Sequence, residues 1–218
     1  LWTLGQMKQL DEATLLQSLK HPDPHVRLWS VRLMGDASQT LSSAIYEVIM
    51  KMAKADTHPE VISQLAASAQ RLPSAQGYPL VQGLFQREEW LSDPYIPQQI
   101  WWALESQIRR QPEGILNLLE TAEQWQHGLL RETLLSRISR RLMAEQKEDS
   151  LSICAKLLIR APDKDAVSAL LQGMELALQG SRLDVLPPEL DQALQTVTSR
   201  FGSDSAWIGF GLRIGSQS

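Results

Sequence analysis

Cys154 is the single cysteine in 218 residues, so no internal disulfide can form and the redox setting stays open. No apolar run approaches the roughly 18 residues of a membrane-spanning helix. Positive charge is not in surplus: 21 Lys and Arg against 25 Asp and Glu give a net charge of −4 and a pI near 5.6. That balance argues against broad, non-specific binding to nucleic acid, which needs clustered positive charge. It argues equally against docking on an anionic membrane. Alternating strand runs and Asn-Gly hairpin signals are missing, which argues against a sheet. No catalytic or cofactor motif stands out. No signal peptide is visible, and the chain starts at Leu1 inside an apolar pattern (Leu1, Trp2, Leu4). It reads as a segment of a longer protein.

What is present is helical periodicity and a repeat. The hydrophobic fraction is 43%, ample for a core. Pro24-His25-Val26, Pro59-Glu60-Val61 and Pro94-Tyr95-Ile96 each place a proline two residues before a β-branched aliphatic, at the mouth of an apolar helical run. Proline costs little in a first helical turn, and Asp23 is a suitable N-cap before Pro24. In each helical hairpin the second helix opens near residues 24, 59, 94, 128, 163 and 204, in steps of 35, 35, 34, 35 and 41. Leu183 to Pro188 accounts for the longer last step. A fixed period of this length marks a repeat architecture.

The expected helices cover the tail 1–8, then 11–20, 24–35, 38–55, 59–72 and a run ending at Leu91, then 94–108. They continue from Pro112 to Ala122, from His127-Gly128 to Leu142, from Glu148 to Leu158, from Pro162 to Leu178, from Leu190 to Phe201 and from Asp204 to Ile214. Val26, Trp29, Leu33 and Met34 are the expected buried stripe of the 24–35 helix. The fold class predicted is all-α: about thirteen helices forming about six hairpins, stacked as one α-solenoid domain over residues 1–218. Each hairpin buries little alone, and stacking makes the core.

The unit Asp23-Pro24-His25-Val26-Arg27-Leu28-Trp29-Ser30-Val31-Arg32 resembles the signature of HEAT-like repeats. Ile62 and Pro97 stand where the first copy has Arg27. A narrower resemblance rests on Leu1-Trp2-Thr3-Leu4-Gly5, the first repeat, and Asp93-Pro94-Tyr95-Ile96-Pro97 followed by Ile100-Trp101-Trp102-Ala103-Leu104-Glu105. Over residues 1–110 the chain is similar to the helical middle region of large proteins of planctomycete- and verrucomicrobia-type bacteria. Those are labelled membrane-bound dehydrogenases or haem-binding CxxCH proteins. The resemblance implies an armadillo-like HEAT fold, and a parent that is exported or periplasmic and carries haem c. The haem-attachment motif itself is absent from these residues.

Candidate sites are few. His21 and His25 are separated by Pro22 and Pro24, and His58 and His127 lack a Glu or Cys at ligand spacing, so loop and capping roles are expected instead of a metal. Cys154 lies on an apolar face with no basic neighbour, as a structural thiol does. Glu88-Glu89 and Glu148-Asp149 sit at helix ends with no nucleophile tied to them. Trp29 and Trp101 lie in or beside buried stripes, whereas Trp102 faces away from the 96–100–104 stripe and is the expected surface aromatic. Arg109 and Arg110 end one second helix, and Arg137, Arg140 and Arg141 share a face of another. Together with Trp102 they are the candidate partner surface. Complementing helix dipoles is the competing role for these arginines, as for Arg71, Arg182 and Arg200.

The reading is a non-catalytic scaffold that holds neighbouring domains or grips a protein along its concave face, with no cofactor of its own and no membrane insertion. The alternative is an enzyme resembling HEAT-like alkylpurine DNA glycosylases, which act on alkylated bases. Trp102, Glu105 and Arg109 would then stand for a concave tryptophan and carboxylate set. The acidic pI counts against it.

Overall fold

A computed structural model describes residues 10–36, 40–181, 183, 185–202 and 205–214. Among them every regular element is helical. Twelve α-helices follow one another along the described residues, two by two in chain order. The first pair is α1 (Glu12–Leu19) and α2 (Pro24–Asp36); the second is α3 (Ser43–Ala55) and α4 (Pro59–Ala69); the third is α5 (Ser74–Phe85) and α6 (Ile96–Arg110). Then come α7 (Gly114–Leu118) with α8 (Leu135–Glu145), α9 (Glu148–Arg160) with α10 (Lys164–Ala177), and α11 (Pro188–Phe201) with α12 (Ser205–Arg213). Leu1 to Lys8, which carry part of the narrower resemblance, lie outside the described residues, as do Ser38, Arg182 and Asp204. No described helix is long and apolar enough to cross a membrane.

The chain divides into two compact units, Leu1–Gln111 and Pro112–Ser218. In the first, α2, α4 and α6 pack side by side, and α1, α3 and α5 form a second layer. In the second, α8, α10 and α12 make one layer and α7, α9 and α11 the other. The core of each unit lies between its layers. Val61, Ile62, Leu65, Leu80, Leu84, Ile100 and Leu104 are fully buried in the first unit, and Ile138, Cys154, Leu157, Leu170 and Met174 in the second.

Capping starts these helices where the sequence indicates. Asp11 Oδ1 accepts from the Thr14 amide at 2.7 Å, Asp23 Oδ1 from His25 at 2.8 Å, and Asp163 Oδ1 from Ala166 at 2.9 Å. Each satisfies an amide that no helical carbonyl can reach. Pro97 does fall in the first turn of α6.

Several boundaries differ from expectation. α3 starts at Ser43, with Ser42 as N-cap. α5 stops at Phe85 instead of Leu91, and a 3-10 turn follows at Glu88–Trp90. Arg87 is the cause: it turns inward, 9% exposed, and donates to the carbonyl of Asp56 at 2.5 Å. α7 has only five residues, because Thr121 and Gln124 form a capping box that opens a 3-10 turn at Ala122–Gln126. Trp125 in that turn is buried and donates to Leu119 O at 3.1 Å. α8 is preceded by a π-helical turn at Leu130–Leu134. Glu148 and Asp149 lie in the first turn of α9 without capping it; Lys147 holds the N-cap position. On α2 the buried residues are Ser30, Val31, Met34 and Gly35, while Trp29 is 38% exposed. Neighbours on two sides turn α2 by part of a turn from the simple apolar stripe.

Two arginine–carboxylate forks join successive pairs. Arg27 Nε and Nη2 meet Asp56 Oδ2 and Oδ1 at 2.6 and 3.0 Å, and Arg27 Nη1 also donates to the carbonyls of His21 and Pro22. In the second unit Arg131 forks Asp163 with both contacts at 3.0 Å. Helix ends are tied in the same way. Arg71 donates to Gly35 O, Arg110 to Leu72 O, and the buried Gln107 to both Ala69 O and Leu72 O. Arg160 donates to Leu116 O and Arg200 to Ile159 O and Ala161 O.

Close packing needs glycine at two of these contacts. A Cβ at Gly173 would overlap the Ser136 carbonyl, part of the α8 backbone, and a Cβ at Gly35 would meet Ser68 Oγ. Gly83 has only ordinary contacts, the nearest at 3.5 Å. Gly173→Ala should therefore lower stability by about 1–3 kcal/mol in denaturant unfolding. Gly83→Ala should leave it unchanged or raise it by up to about 1 kcal/mol, since alanine favours helix.

The forks also set an acid limit. Burial alone would raise the Asp56 carboxyl, but the Arg27 fork and the His58 amide outweigh it and hold the group below its ordinary value. Asp163 is held low chiefly by Arg131. A carboxylate depressed in the folded state adds stability above its unfolded value of about 3.9 and loses it as pH falls through the folded value. Unfolding free energy should be flat between about pH 7 and 5 as regards these two groups and fall below about pH 4. Asp56→Asn should cost about 1–3 kcal/mol at neutral pH and shallow the acid slope, read by urea titration across pH.

Candidate functional site

The layer of second helices in the first unit carries the exposed aromatics. Trp29 lies on α2, Trp102 on α6, and Tyr95 is the N-cap of α6. Their exposures are 38%, 47% and 73%. Tyr95, Trp102 and Arg109 are seven residues apart, which is close to two helical turns, so they line one face of α6. Arg32, exposed one turn beyond Trp29, lies with its guanidinium 5.2 Å from that ring centroid. The large exposed hydrophobics described in the second unit, Ile159, Val185, Ile208 and Leu212, are all aliphatic.

The polar groups on this face are partly engaged with each other. Asp36 pairs with Arg71 at 3.2 Å across α2 and α4. Glu60 Oε2 is 3.7 Å from His25 Nδ1, and the His25 and His58 rings meet edge-on at 5.8 Å. Gln64 donates to Ser68 at 3.2 Å. Ser106, one turn past Trp102, donates to Gln70 O at 3.0 Å.

The six candidate surface residues fall in both units. Trp102, Arg109 and Arg110 lie on α6 of the first. All three are exposed, and Arg110 also spends a guanidinium donor on Leu72 O at 2.9 Å. Arg137, Arg140 and Arg141 lie on α8 of the second. Arg140 is exposed, Arg137 is half-buried, and Arg141 pairs with Glu145 at 3.0 Å. Arg71 and Arg200 bond backbone carbonyls of the preceding pair, so they serve the fold. Trp101 is half-buried, and Glu105 beside it is half-buried too.

The remaining chemistry-bearing residues are tied to structure. His21 Nδ1 accepts from the Asp23 amide at 3.1 Å in a turn. Among the described residues no three His, Cys, Asp or Glu side chains are grouped to hold a metal ion. Cys154 is fully buried, and burial pushes its thiol up to about 12, so it stays protonated at neutral pH and is a poor nucleophile. Glu89 accepts both Arg87 Nε and Nη2. Two open hollows lie among the described residues. One of about 460 Å³ lies between α1 and α3, lined by Lys20, Glu47, Lys51 and Met52. The other, about 560 Å³, lies beside α12, lined by Glu175, Ser181, Gly209 and Arg213.

Trp102 was legible as a surface aromatic because it departs from the 96–100–104 stripe. Tyr95 could have been found from its spacing of seven to Trp102. Trp29 could not, because the sequence alone sets it within an apolar run. No protein-family model, curated protein sequence or solved structure matches the chain.

The contrast between two tryptophans is measurable. Trp125 is 1% exposed with its indole N–H bonded, so Trp125→Ala should cost about 3–5 kcal/mol. Trp102→Ala should change stability by less than about 1 kcal/mol, as surface substitutions do. Thermal melts of the two variants check this.

Proposed function

We propose that this chain is a non-catalytic scaffold: a HEAT-like solenoid whose second helices present a face to a protein or to neighbouring domains of the same parent. The observation that carries the reading is the division of labour among side chains. Arginines and carboxylates that could do chemistry are spent on tying one helix pair to the next, while Trp29, Tyr95 and Trp102 are left at the surface of α2 and α6. Exposed aromatics rimmed by polar groups are what a protein contact uses.

The HEAT-like element of the proposal is supported by paired helices in two layers within each unit, and by Asp23 capping α2 ahead of Arg27 and its Asp56 fork. The parent, on the resemblance of residues 1–110, is a haem c-bearing oxidoreductase of exported or periplasmic location. The scaffold itself needs no cofactor for this role.

A photo-crosslinking amino acid in place of Trp102, in the full-length parent, tests the reading. Crosslinks to a protein or to another domain of the parent are expected from position 102, and not from exposed Lys54 on α3 in the other layer. Crosslinks confined to nucleic acid, or equal yields from both positions, would sink it.

A further inference from the structure

We draw no further inference here: the strongest candidate, the surface patch of Trp29, Tyr95 and Trp102 on α2 and α6, belongs to the face already described, and nothing in the structure shows what covers it.

Discussion

An α-helix leaves its last four carbonyls without an intrahelical donor, and this fold answers that constraint with side chains from the next pair. Gly35 O is met by Arg71 and Ala69 O by Gln107; just past two helix ends, Leu72 O is met by Gln107 and Arg110 and Asp56 O by Arg87. In the second unit Leu116 O is met by Arg160, and Ile159 O and Ala161 O by Arg200. The same bonds fix how far one pair is offset from the next, and so decide which helix faces remain open. An arginine used in this way can no longer be counted as a free basic surface.

That double use explains why the arginines were hard to read. Their position near helix C-termini is plain in the sequence, and a favourable interaction with the dipole follows from it. Which carbonyl each one reaches is a tertiary fact. Arg110 and Arg109 are adjacent and both exposed, yet only Arg110 donates to Leu72 O. Helix existence was legible nearly throughout, because apolar residues recur at three and four and prolines mark the starts. The short α7 was not, since Ile115, Leu118 and Leu119 suit a longer helix. Trp125 and the Thr121 capping box end it by offering local bonds instead.

The surface aromatics show the same limit from the other direction. A helix in a layer is covered by its lateral neighbours and by the opposite layer, and only one sector is left to solvent. α2 buries Ser30, Val31, Met34 and Gly35, a stripe that includes a serine and a glycine because α4 comes close there. Trp29 is pushed out although it is the larger apolar group. Hydrophobicity alone would have put it inside; close approach of two backbones decides otherwise.

The carbonyl bonds just described run in one direction along the chain. Each donor comes later than its acceptor, by 31–44 residues across the Arg87–Asp56, Arg71–Gly35, Arg110–Leu72 and Arg160–Leu116 contacts. During synthesis at roughly 5–20 residues per second, a finished helix therefore waits about 2–9 s for the side chain that closes its end. For that interval the nascent chain carries an open terminus at its most recent pair, and the ribosome's pace sets how long a chaperone can find it.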